Sequence, residues 1–197
     1  MSQTSRYNTV LRIGVLILLI GLLIVNVLLL KQNRDLKAVA EQYTPKVLST
    51  GDKVPSFTAT TTAGIRKRID FLDGSKTVLF VFSPDCGACE LVTPTWRRIE
   101  DACRSGRCQV FGISTGGDDA TKSFVEKHRL TAIETFANVD TTMRESYRIS
   151  ATPLTVVIDA KGNVDQVWLG AFDALTEKQI DDYFGIDATN LVNGRAS

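Results

Sequence analysis

The chain has 197 residues, a formal net charge of +1 at neutral pH and 44% hydrophobic residues. That length holds one domain and an appendage. The near-neutral balance gives no basis for a nucleic acid or another polyanionic partner.

Residues 1–9 read as a short polar tail. From Ile13 to Leu30 the chain is uncharged and interrupted only by Gly14, Gly21 and Asn26. As a helix this run rises about 27 Å, close to the hydrocarbon thickness of a bilayer. Residues 10–30 are therefore expected to cross a membrane as an uncleaved anchor. The competing reading is a cleaved signal peptide, whose apolar core is usually about 7–15 residues, shorter than this one. Ala38-Val39-Ala40 resembles a cleavage site, but Lys31, Arg34, Asp35 and Lys37 separate it from the apolar core. Asn26 either bonds a neighbouring helix or faces headgroups. Residues 31–50 form a charged stalk, partly at helical spacing (Leu36, Val39, Ala40, Tyr43).

Residues 51–185 have globular texture, and 186–197 form a C-terminal tail. Val54–Thr61 reads as a strand, followed by a turn at Gly64 and Ile69-Asp70-Phe71. Thr77–Phe82 is a continuous apolar run, as expected of a central strand buried on both faces. The helix expected over 87–103 spaces Leu91, Val92, Trp96, Ile99 and Ala102 along its inner face, with a kink at Pro94. Val110–Ser114 is a second buried strand. Gly116-Gly117-Asp118-Asp119 supplies a loop and cap for a helix over Ala120–Lys127, with Phe124 and Val125 inward. Pro153 introduces Leu154–Ile158, which forms a hairpin with Val164–Leu169 across Ala160-Lys161-Gly162-Asn163. Ala174–Phe184 is the closing helix. The order implies an α/β fold: a central mixed β-sheet flanked by helices on both faces, behind an N-terminal transmembrane helix.

Cys86-Gly87-Ala88-Cys89 falls at the junction of the central strand and the first helix of this domain. Amides and the positive end of the helix dipole favour a thiolate at Cys86, and Cys89 lies one turn on to close a disulfide. A half zinc site, or two cysteines packed as small hydrophobes, are the other readings of such a pair. Cys103 and Cys108 bracket a short segment between helix and strand. They read as a local structural disulfide, as free buried thiols or as a second redox pair. A four-thiolate zinc site fits neither the second spacing nor the strand-turn-helix setting. His128 is the only histidine and is expected at the surface, as are Arg97 and Arg98 on a solvated helix face. Trp96 and Trp168 are expected in the core.

Gly51-Asp52-Lys53-Val54-Pro55-Ser56-Phe57, the strand into the dithiol, Thr152-Pro153 before the hairpin and Gly170 after it stand in one order. Together they make the chain resemble the thioredoxin-fold, membrane-anchored thiol–disulfide oxidoreductases of the TlpA and ResA type within the redoxins. Ser83-Pro84-Asp85-Cys86 is similar to the MauD-like redoxins. The resemblance implies Cys86 as attacking thiol, Cys89 as resolving thiol, and Pro153 as a cis-proline presenting the Thr152 backbone to an extended substrate. It implies no metal or organic cofactor, protein disulfides as substrates, and a membrane or periplasmic thiol as reductant, for instance in cytochrome c biogenesis.

The sequence also departs from thioredoxin. Asp85 replaces an aromatic residue and would oppose the neighbouring thiolate if close and poorly screened. Phe80 replaces a buried acid, so proton transfer at Cys89 would need water or another group. Peroxiredoxins carry Pro and Thr where Leu79 and Ser83 stand, a poor fit to peroxidase activity. The rival from another class is a copper metallochaperone holding Cu(I) on the same two thiols, which lacks a histidine near the hairpin. Charges beside the span (Arg6 and Arg12 before it; Lys31, Arg34, Lys37 and Lys46 after it) weakly favour a cytoplasmic domain. The short N-terminal tail and the resemblance favour the opposite. A single-pass inner-membrane protein with its domain facing the periplasm or cell exterior is the expectation.

Overall fold

The computed structural model describes residues 3–43, 45–71, 74–104 and 106–186, with side chains of the first helix described over 12–37. The expected tail beyond residue 186 lies outside these residues. The chain divides into two compact units between Pro45 and Lys46.

The first unit is one helix, α1 (Gln3–Tyr43). At 1.5 Å per residue its 41 residues extend about 61 Å, twice the hydrocarbon core of a bilayer. The helix continues through most of the expected stalk. Every large apolar side chain from Ile13 to Leu30 is about half exposed or more, a surface suited to lipid rather than water.

The second unit begins with a two-stranded antiparallel ribbon, β1 (Phe57–Thr60) and β2 (Arg66–Ile69). There follow β3 (Lys76–Phe82), α2 (Gly87–Cys103), β4 (Cys108–Ser114), α3 (Asp118–Lys127), β5 (Glu134–Phe136), α4 (Thr141–Ser146), β6 (Leu154–Ile158), β7 (Val164–Leu169) and α5 (Ala174–Phe184). The main sheet runs β5-β4-β3-β6-β7, parallel across β5-β4-β3 and antiparallel across β3-β6-β7. This is the expected thioredoxin-type mixed sheet.

The pleat of β3 divides the core. Val78, Phe80 and Phe82 face α2, α3 and α5, meeting Trp96, Phe124 and Ile180. Leu79 and Val81 face the other way, towards Phe57 of the ribbon and Met143 of α4. Trp96 stacks on Phe80 with centroids 4.8 Å apart, and its indole N–H donates to the buried Thr155 hydroxyl at 2.8 Å. A buried indole needs such a partner.

Several expectations are corrected here. The strand expected from Val54 begins only at Phe57. Pro55 has no N–H for a ladder, and its carbonyl instead accepts from the Tyr147 hydroxyl. Leu91 is 72% exposed, while neighbouring Val92 turns inward. Helix α2 spans the expected residues with Pro94 in its interior. The Glu90 carbonyl, deprived of the N–H that Pro94 lacks, accepts from the Thr93 hydroxyl at 2.9 Å. Arg98 is half-buried and pairs with Asp181 of α5 at 3.2 Å, so it is no solvated face. Helix α3 starts at Asp118, two residues before the expected Ala120. Within the expected capping segment the cap is therefore Gly117, with no side-chain hydrogen bond, and the acids Asp118 and Asp119 occupy the first turn. Between residues 128 and 153 the structure adds β5 and α4, which the sequence pattern did not announce.

Candidate redox site

The two thiols stand where β3 hands over to α2. Cys86 is the N-cap of the helix, in extended conformation. Its N–H bonds the Ser83 carbonyl at 3.1 Å, and its own carbonyl accepts from the Cys89 N–H at 2.9 Å, closing the first turn. Cys86 is partly exposed and Cys89 fully buried, both as free thiols.

Burial opposes ionisation of Cys86. It is outweighed by hydrogen bonds from the Cys89 thiol, from the Thr152 side chain and from the amides of Cys89 and Ala88, so the thiol lies below its ordinary range. Burial pushes the Cys89 thiol up to about 12, and the hydrogen bond it gives to Cys86 adds to the rise. Asp85 is exposed, where solvent screens its carboxylate from Cys86. Phe80, in place of a buried acid, is fully committed to stacking on Trp96.

The other wall of the site is Thr152-Pro153. The peptide is cis. The Cys86 thiol donates to the Thr152 carbonyl at 3.6 Å, which brings together two segments 66 residues apart. Pro153 is buried, and its carbonyl accepts from the Gly170 N–H at 2.8 Å, tying the segment to the end of β7.

One neighbour escaped the sequence reading. A Cβ at Gly116 would lie 2.7 Å from Cδ of Pro84, two residues before Cys86. The loop after β4 thus packs against the loop that carries the thiol. Only the Gly116-Gly117 pair hinted at a close approach.

His128 is not a surface residue. Its ring packs 4.5 Å from Phe124, and Nδ1 lies 3.5 Å from the Thr93 hydroxyl. Nε2 is buried without a hydrogen-bond partner among the described residues, 3.8 Å from a Glu90 carboxylate oxygen that Lys127 holds at 2.8 Å. Burial holds this imidazole below its usual range.

Cys103 and Cys108 are joined in a disulfide between the end of α2 and the start of β4, where Cys108 pairs with Lys76. That is the end of the sheet opposite Cys86. A cleft of about 370 Å³, lined by Thr58, Thr60, Arg66, Asp118, Asn138 and Asp140, contains neither dithiol cysteine nor Thr152-Pro153. Among the described residues no three His, Cys, Asp or Glu side chains converge as a metal site.

Residues 50–167 match the AhpC/TSA family, and the chain belongs to it. No curated protein matches the chain in sequence. Among solved structures it is similar to the thioredoxin domain of a thiol-disulfide oxidoreductase from Bacteroides vulgatus, with 18% identity, 70% of this chain and 99% of the other covered, and a TM-score of 0.59. A secreted Mycobacterium tuberculosis disulfide oxidoreductase homologous to E. coli DsbE gives 23% identity, coverage of 66% and 94%, and a TM-score of 0.54. StoA from Bacillus subtilis gives 18%, coverage of 66% and 96%, and 0.53. At these identities the likeness establishes the fold, that of the redoxins.

Proposed function

We propose that this member of the AhpC/TSA family is a membrane-tethered thiol–disulfide oxidoreductase that reduces protein disulfides in the cell envelope. The observation that carries the reading is the inequality of the two thiols, one accessible and favoured as thiolate, the other buried and protonated. The Cys86 thiolate attacks one sulfur of a substrate disulfide, forming a mixed disulfide and releasing the other sulfur as thiolate. Cys89 then gives up its proton and attacks Cys86 Sγ. The Cys86–Cys89 disulfide forms, and the second substrate thiolate leaves with the electron pair. Once Cys86 is in the mixed disulfide it carries no negative charge, and one obstacle to ionising Cys89 is gone. With Phe80 where an acid would stand, the departing substrate thiolate or water takes the proton. An external membrane or periplasmic thiol restores the dithiol.

The Thr152 backbone beside Cys86 is suited to pairing with an extended substrate segment, and residues 10–30 would hold the domain at the inner membrane. The Cys103–Cys108 disulfide supports placing the domain on the oxidising side. The DsbE likeness points towards cytochrome c biogenesis. In the decisive assay Cys89→Ser should accumulate mixed disulfides through Cys86, whereas Cys86→Ser should accumulate few and lose insulin reduction. Equal trapping by both variants would overturn the roles. Stoichiometric Cu(I) retention without reductase activity would instead favour a metallochaperone.

A further inference from the structure

One face of α1 is mismatched to its surroundings at both ends. Leu19, Leu22, Asn26, Leu29, Asn33 and Leu36 recur at alternating steps of three and four, the a and d positions of a heptad. Within the apolar run this face carries Asn26. Its carboxamide donates to the Leu22 carbonyl at 2.9 Å, its one hydrogen bond among the described residues. A second N–H and the amide oxygen are left facing hydrocarbon, about 7 Å below the charged Lys31 at 1.5 Å per residue. Beyond the apolar run the same face carries Leu36, 69% exposed, where the helix has left the lipid. Asn33 suits water and Leu19, Leu22 and Leu29 suit lipid, but Asn26 in lipid and Leu36 in water each call for a protein cover on this same face. The charges of this stretch keep off it: Lys31, Arg34 and Asp35 take outer positions of the heptad, and Lys37 only flanks the seam.

We propose that α1 pairs in parallel with α1 of a second copy of this chain, Asn26 against Asn26 within the bilayer and Leu36 against Leu36 above it. A carboxamide is both donor and acceptor, so two related by a two-fold axis satisfy each other, and one such residue at an a position fixes register. Anchoring supplies the common orientation that a parallel pair requires. This inference rests on the membrane-tether reading.

The test uses the full chain, labelled at its N-terminus with donor or acceptor dye and reconstituted in vesicles of phosphatidylethanolamine and phosphatidylglycerol. Energy transfer is followed as lipid dilutes protein, and flotation of the same vesicles reads anchoring. Transfer is expected to follow a monomer–dimer curve. Asn26→Leu should shift its midpoint to roughly 3- to 30-fold higher protein density. Leu36→Lys, which sets like charges face to face, should shift it further, and Leu28→Ala, off the seam, should leave it in place. Protein that fails to float overturns the tether and this pairing with it. Protein that floats but transfers only at the random-proximity level, or identically with Asn26→Leu, overturns the pairing alone.

Discussion

The unequal thiols make a prediction that can be worked to a number. Cys86 lies below the ordinary 9.0, and Cys89 stands at about 12, a gap of at least 3 units. At neutral pH the thiolate population of Cys86 therefore exceeds that of Cys89 about a thousandfold or more. The more basic thiolate is intrinsically the better nucleophile. With a Brønsted slope of about 0.4–0.5, that returns a factor of roughly 15–30 to Cys89. The reduced protein should thus be alkylated by iodoacetamide at Cys86 at least about 30 times faster than at Cys89, before the burial of Cys89 is counted. The ratio should narrow as pH rises, because Cys86 approaches full ionisation first while Cys89 goes on ionising. Site-resolved mass spectrometry of limited alkylation between pH 6 and pH 10 reads both rates in one sample. Comparable rates at pH 7, or a ratio that widens with pH, would refute the division of roles.

Stability of the reduced protein should fall above about pH 9, by up to about 1.4 kcal/mol per pH unit, because an unfolded Cys89 ionises there and the folded one does not. Depression of Cys86 works in the opposite sense, but its gain is complete once pH passes the unfolded value. Between about pH 9 and pH 10, below the range where the raised Tyr147 hydroxyl lowers stability in both redox states, the oxidised protein should lack the fall. Identical urea profiles of the two states in that window would contradict the assignment. Gly116→Ala forces Pro84 to move by several tenths of an ångström and should lower reductase activity by roughly tenfold, while unchanged turnover would show that the loop before Cys86 yields freely. Thr155→Val strands the buried Trp96 N–H and should cost about 1–3 kcal/mol in urea unfolding; a loss under about 0.5 kcal/mol would mean the indole finds another acceptor. Replacing Cys103 and Cys108 by Ser opens a loop of sequence separation 5 and should cost about 2 kcal/mol with reductase activity retained; lost turnover would make that pair a participant.

The elements legible in the sequence are those whose signal is local. The apolar run of β3, the inward spacing along α2 and the hairpin after Pro153 each carry their own period, and the dithiol is spelled out at a strand-to-helix junction. β5 has three residues, too few to show alternation, and owes its place to pairing with β4 and burial of Phe136. The six residues of α4 start on an Asp140 cap and two β-branched threonines, a weak helical signal rescued by burying Met143. What the sequence could not supply were meetings between distant segments: Gly116 against Pro84, and His128 folded onto Phe124 beside Glu90. Each depends on the parallel crossover that brings the loop after β4 and the end of α3 beside α2. Arg98 and Leu91 were misjudged because helical periodicity gives an inner face but not which neighbour covers its margins. Here α5 covers Arg98 and leaves Leu91 bare.

The two cysteine pairs occupy opposite ends of α2. Cys103 follows Cys89 by fourteen residue steps, about 21 Å along the helix axis. Thiol–disulfide exchange needs sulfurs in contact, so no electron pair passes from one pair to the other within the molecule. Under the proposed function the protein is then a single-slot carrier, able to hold one reducing equivalent pair and obliged to return to its donor after every substrate. If residues 10–30 tether it as proposed, flux is set by the frequency of lateral encounters with donor and client, not by any charge it could store.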